Sequence, residues 1–263
     1  MLKSARSALS DISAGIRMRR VWMALAQEDI GDQHRRTALG PLWLLVNFLA
    51  FAGVFSVVFR SGAGIPNFPA YVAIGLLVWL FISEVLTQAT ALFSREESFI
   101  KGTTLPLSVY VLRLTAQSLI RSGYALVGCI GILLVTGTPF GPSALWSILA
   151  LLLIMLITPA AVTVFAMAGA FFPDIQFVVN NLVRLGMFLT PIFWTHTEGQ
   201  DNLRGLFYYW NPFTYFLDIV RAPVLSGELP IHSLMLCAMI GLALWALALF
   251  LLGHYRKNVV FVL

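Results

Sequence analysis

Long apolar stretches alternate along this chain with short polar, mostly basic ones. A helix needs about 20 apolar residues to cross the hydrocarbon of a bilayer, and six runs reach that length, at about residues 39–59, 71–93, 114–136, 143–171, 177–194 and 231–253. None shows the residue-by-residue alternation of a barrel strand. The pattern predicts an all-α polytopic membrane protein in three parts. Residues 1–38 precede the first span, residues 39–253 form a six-span transmembrane domain, and residues 254–263 form a tail.

Composition points the same way. Of the 263 residues, 59% are hydrophobic and 11% charged, against about 45–50% and about 25% in soluble domains. The excess of apolar surface calls for lipid. The net charge of +5 comes from basic residues that flank the apolar runs, which points to membrane orientation and lipid headgroups and away from nucleic acid. If six spans alternate, Lys3, Arg6, Arg17, Arg19, Arg20, Arg35, Arg36, Arg95, Lys101, Arg113, Arg256 and Lys257 share one side, and only Arg60, Arg204 and Arg221 lie on the other. By the positive-inside rule both termini are cytoplasmic, as expected of a multi-pass protein of the inner membrane.

Several chemistries leave no mark. Cys129 and Cys237 are far apart and form no ligand spacing with histidine, so neither a disulfide framework nor a metal site is indicated. There is no G-x-x-x-x-G-K-[ST] phosphate loop and no G-x-S-x-G elbow. No catalytic or cofactor-binding residue is expected. If the chain pumps, ATP and Mg are bound on a separate subunit or an ion gradient drives it.

Three polar or aromatic segments carry more information. Before the first span, Leu9, Ile12 and Ile16 recur at helical spacing with Arg6, Arg17 and Arg20 on other faces, predicting a helix in the membrane interface. After the second span, Ser94 and Glu97 form an S-x-x-E capping box and Gly102 suits the residue after a helix end. That predicts a short cytoplasmic helix over 95–101, read either as a solvated turn or as an element that inserts into a partner. Before the last span, 203–226 is too apolar for a plain loop. Asn211-Pro212 reads as an N-cap followed by proline at the first helical position. Pro223 should kink or end the helix, and Gly227 marks its exit. A re-entrant helix pair dipping in from outside, or a pair lying flat on the outer interface, fits this segment.

Residues Arg35-Arg36-Thr37-Ala38-Leu39-Gly40-Pro41-Leu42-Trp43 resemble the R-x-x-x-LGPLW opening of ABC-2 type polysaccharide-export permeases. Thr190-Pro191-Ile192-Phe193-Trp194, and Asn211-Pro212 followed by Arg221, resemble the outer region of the same family. The resemblance covers essentially the whole chain and is nearest to the O-antigen, capsule and teichoic-acid branch. One departure is Pro173-Asp174, where the family often carries an Arg-Asp pair. The resemblance implies a homodimer docked on two copies of a nucleotide-binding ABC ATPase and exporting a lipid-linked polysaccharide. It also implies that Ser94, Arg95, Glu96, Glu97, Phe99, Ile100 and Lys101 form the coupling helix to that ATPase.

Glu84, Arg121 and Arg184 fall inside the predicted spans, roughly 10–14 Å from the cytoplasmic face at about 1.5 Å per residue. Intramembrane charges find partners or mark a pathway. Glu84 is expected to pair with one arginine. The other is then free for an anion, such as the pyrophosphate of a polyprenyl carrier, or it snorkels as a structural residue. Trp194, Tyr208, Tyr209 and Trp210 near the outer mouth can stack on sugar rings, or serve as belt anchors. Competing readings are an ABC-2 exporter of a small molecule or drug and an ion-coupled secondary transporter. The latter often shows internal repeats, and none is evident here. A membrane enzyme acting on polyprenyl phosphates lacks the carboxylate or histidine cluster it needs.

Overall fold

The computed structural model describes residues 2–59, 65–139, 141–195 and 203–263. Arg60 of the charge count lies outside them, as does the side chain of Lys3. The described residues form helices α1 (Leu2–Arg17), α2 (Arg19–His34), α3 (Leu42–Val58), α4 (Phe68–Thr90), α5 (Leu92–Arg95) and α6 (Glu97–Gly102). They continue as α7 (Leu107–Val135), α8 (Ala144–Phe171), α9 (Ile175–Leu189), α10 (Leu203–Trp210), α11 (Pro212–Leu225) and α12 (Ile231–Val262).

Four helices, α4, α7, α8 and α12, are long and apolar enough to cross a membrane. The runs at 39–59 and 177–194 appear as the shorter apolar helices α3 and α9. The reason α9 stops early is covalent. Proline disfavours the α region for the residue before it, and Thr190, before Pro191, is extended at φ −87°, ψ 141°. The third apolar run starts its helix earlier than its hydropathy suggests, at Leu107 directly after the extended Pro106. Arg113 is therefore helical. The segment 254–263 is no separate tail structure, since α12 continues to Val262.

α4 is the central helix. Nearly every residue from Phe68 to Trp79 is buried, and it packs against α3, α7, α8, α9 and α11. Around it, large apolar side chains such as Val57, Leu156, Phe177 and Leu242 face outward. A soluble monomer rarely exposes so much apolar surface, and hydrocarbon solvates it without penalty.

Side-chain ties sort the helices to two ends. At one end Asp11 of α1 accepts from the Ser108 backbone N–H (3.0 Å) at the start of α7. Arg256 of α12 donates to the Ser7 carbonyl (3.1 Å). Here α1 buries Ala8, Asp11 and Gly15 and leaves Leu9 and Ile16 exposed, so its inward face is the small one and part of its apolar stripe points away from the bundle. At the other end Asn67, before α4, donates to Thr138 after α7 (2.7 Å), and Ser147 of α8 donates to the Val220 carbonyl of α11 (2.7 Å).

Two local expectations are corrected. Ser94 does not cap a helix, because helix resumes at Leu92 and Ser94 lies inside α5. Glu96 stands at the N-cap of α6 without a side-chain cap bond, and Glu97 turns to Lys101 (2.7 Å) instead of back to the cap. Gly102 is the last helical residue, with extended Thr103 following it. The Asn211 cap forms, its side chain accepting from the Phe213 N–H (2.9 Å). Pro223 is accommodated inside α11, which ends two residues later.

Candidate functional site

Glu84 of α4 and Arg121 of α7 form a direct ion pair. Glu84 also accepts from the Ser118 hydroxyl (3.2 Å). The far nitrogen of Arg121 donates to the Gln33 amide oxygen of α2 (3.0 Å), so one guanidinium ties three helices. The pair borders a cavity of about 360 Å³ between α3, α4 and α7, whose polar lining is Asn47, Ser83, Glu84, Thr87, Arg121 and Ser122. A charged pair inside an apolar wall with hydroxyls on both flanks can receive a polar headgroup, since hydroxyls both donate and accept.

Arg184 is not part of this cluster. It lies on the exposed face of α9, near Leu185 and Phe188, and among the described residues no hydrogen bond or ion pair joins it to Glu84 or Arg121. In a single chain it is the more available of the two cations, because the Arg121 charge is already matched.

At the end where α1, α2 and α12 meet, α5 and α6 form a broken two-helix turn. Ile100 is buried and anchors it, whereas Phe99 is exposed, as are Ser94, Arg95 and Lys101. Arg95 donates to Gln88 (2.7 Å). The Glu96 carboxylate accepts from Arg113 (3.0 Å). Arg113 in turn forks onto both Asp29 oxygens (2.7 Å each), and Gln117 donates to the same carboxylate. Bidentate guanidinium–carboxylate pairs hold geometry as well as charge. The turn is thus bolted to α2 and α7, while its apolar Phe99 and its basic Lys101, paired with Glu97, stay exposed. Asp29 and Arg113 were missed in the sequence, because they are 84 residues apart with no shared motif.

At the opposite end lie the four aromatic residues. Trp210 is 81% exposed and Tyr209 52%. Tyr208 packs edge-on against Tyr209 at 5.3 Å. Trp194 donates its indole N–H to the Phe188 carbonyl (3.0 Å). Inside them lies a group that hydropathy alone does not mark: Arg221 of α11 stacks over the Tyr71 ring of α4 at 3.6 Å.

Comparison with known proteins covers most of the length of this arrangement. The family model described as "ABC-2 type transporter" matches residues 20–225. The O-antigen export system permease protein RfbA of Myxococcus xanthus is 27% identical over 235 residues, covering 85% of this chain and 88% of the relative. A protein of the same name from Klebsiella pneumoniae is 23% identical over 239 residues, covering 89% of this chain and 92% of its own length. A second from the same organism is 23% identical over 210 residues, covering 79% and 81%.

Proposed function

This chain belongs to the ABC-2 type transporter family of membrane proteins, and from that membership we propose that it is the transmembrane subunit of an ATP-driven exporter of lipid-linked polysaccharide. The observation that carries this reading is the end-to-end likeness to three O-antigen export permeases, 79–89% of this chain against 81–92% of theirs. ATP and Mg belong to a separate ABC ATPase, present in two copies beneath a homodimer of this chain in the inner membrane.

The proposed path has six crossings. Fifteen residues of α9 rise only about 22 Å, short of the roughly 30 Å of hydrocarbon. The non-helical segment 190–194, extended at Thr190 and turned at Pro191 and Ile192, continues the crossing. α3, with its flanking turns, makes the first crossing. α10 and α11 form a re-entrant pair on the outer side, and both termini are cytoplasmic. This places the basic α1, α2, α5 and α6 end against the ATPase, in keeping with the positive-inside rule. The broken turn at 94–101 serves as the coupling element, with Phe99 and Lys101 offered to the partner. In a strain lacking this chain, lipid-linked glycan accumulates at the cytoplasmic leaflet, and the full chain co-purifies with an ATP-binding subunit. Normal glycan display in the deletion strain would end the proposal.

Arg184 is proposed as the cation that meets the carrier's pyrophosphate. Trp194, Tyr208, Tyr209 and Trp210 are proposed to face the sliding glycan. Arg184→Leu is expected to insert and bind the ATPase normally but to export about tenfold less or worse, the factor set by one charged hydrogen bond of about 1.5–3 kcal/mol. Export at the parental rate removes Arg184 from the path.

A further inference from the structure

Arg221 is buried to 8% exposure among apolar neighbours on α11. Its Nη1 donates to the Pro191 carbonyl (2.9 Å), and the guanidinium carbon sits over the Tyr71 ring, 3.6 Å from its centre. Nε and Nη2 have no hydrogen-bond partner among the described residues. Asp218, one turn earlier, forms no ion pair with it, and its carboxylate accepts instead from the Ser233 hydroxyl of α12. A buried guanidinium with one hydrogen bond and one ring face is poorly satisfied, since buried donors are normally all paired.

Everything around Arg221 converges on one strand of backbone. The Tyr71 hydroxyl bridges the Pro191 carbonyl (3.1 Å) and the Trp194 carbonyl (2.9 Å). Asn211, the cap of α11, donates to the Thr190 hydroxyl (2.8 Å). So α4 and α11 grip segment 190–194 from both sides. The grip requires a gap in α4: a Cβ at Gly75 would lie 2.2 Å from Nη2 of Arg221 and 3.3 Å from the Ile192 side chain. Only a residue without a side chain leaves room for the guanidinium to lie there.

We propose that Arg221, seated in the Gly75 slot beneath Tyr71, is the positioning residue of a latch that holds segment 190–194 and α11 closed over the outer end of the bundle. The unmatched nitrogens make the latch releasable. Parting α11 from α4 gives Nε and Nη2 the water they lack, and that hydration offsets the lost Pro191 bond and Tyr71 contact. The latch rests on the outward orientation proposed above and not on the identity of the cargo.

A single-cysteine reporter tests it in intact cells. Ile192 is fully buried, so an Ile192→Cys chain reacts slowly with a membrane-impermeant maleimide added outside. Arg221→Met is expected to speed that reaction about tenfold or more, as local opening controls such accessibility. Gly75→Ala does the same while Arg221 stays in the chain, and adds nothing further in the Arg221→Met background. Parental labelling in an Arg221→Met chain that reaches the membrane overturns the latch, as does full additivity of the two variants. If Arg221→Met does not accumulate, Gly75→Ala alone decides by the same rate. A second reporter at Ala166, fully buried on α8, separates latch from general loosening: it stays protected if only the outer mouth opens, and its exposure alongside Ile192→Cys overturns the proposal. A third reporter at Phe99 must stay unreactive from outside. Reaction there means that the orientation is reversed, and the latch is then read by the same rates in inverted vesicles.

Discussion

Replacing Arg121 by leucine is expected to lower the thermal midpoint of the detergent-solubilised chain by roughly 6–12 °C. Arg121 exposes 12% of its side chain and Glu84 25%, so both charges sit mostly out of solvent. Removing one partner strands the other, leaving Glu84 with only the Ser118 hydroxyl at 3.2 Å. Breaking a buried pair in this way costs about 3–5 kcal/mol. The adjoining cavity of about 360 Å³ can admit water, which favours the lower figure, and about 3 kcal/mol gives that shift at roughly 2–4 °C per kcal/mol for a chain of this size. The lost bond to Gln33 frees α2 as well. Changing both residues, Glu84→Gln with Arg121→Gln, should recover most of the loss, because two amides can bond each other without a stranded charge. A single variant that melts with the parent would show that the pair is solvated and contributes nothing.

That pair shows what could be read before the structure and what could not. A carboxylate and two arginines at equal depth announce that one pairing will form, but depth does not say which helices are neighbours. α7 packs on α4 beside Glu84, whereas α9 meets α4 where Gly186 faces the Trp79 ring, and Arg184 lies on the exposed face of α9. Four of the six apolar runs were legible as spanning helices because hydropathy over about 20 residues is a strong signal, whereas those at 39–59 and 177–194 form shorter helices. α8, at Ala144–Phe171 against the predicted 143–171, starts and ends almost where its polar flanks say. The Asn211 cap was legible because cap, proline and apolar run are adjacent in the chain. The S-x-x-E box misled because its rule assumes a helix beginning at Ser94. A helical turn from Leu92 was already running through it, and both carboxylates found cations, Lys101 and Arg113, stronger partners than a backbone N–H. Arg221 was visible as one of three basic residues counted opposite the basic side and as part of the family resemblance, but not as a buried group. Its burial depends on a glycine 146 positions earlier (221 − 75), and hydropathy holds no trace of such a pairing.

The second large effect is expected at Gly169, where α8 passes the end of α4. A Cβ there would lie 1.9 Å from the Thr90 carbonyl oxygen and 2.8 Å from its carbon. The obstacle is backbone, which cannot rotate aside as a side chain can, so Gly169→Ala must push the two helices apart. Overpacking typically costs about 1–3 kcal/mol, and with nothing flexible to yield the upper figure applies. The expected fall in thermal midpoint is again roughly 6–12 °C. Gly123→Ala on α7 is the matched control: nothing lies within 4 Å of its added Cβ, so the gain in helix propensity of up to about 1 kcal/mol should leave the midpoint unchanged or raise it. The clash also sits at a mechanically sensitive point. Thr90 is the last residue of α4, Ala91 links it to α5, and α5 itself packs on α8. Displacing Thr90 therefore tilts the α5–α6 turn against the bundle while Arg113 still holds its far side. If that turn couples to an ATPase as proposed, native membranes carrying Gly169→Ala are expected to show the partner ATPase hydrolysing ATP at near the parental rate with little export, and those carrying Gly123→Ala to show both at the parental rate. Parental melting and parental export in Gly169→Ala would mean that the contact between α4 and α8 is looser than 1.9 Å allows.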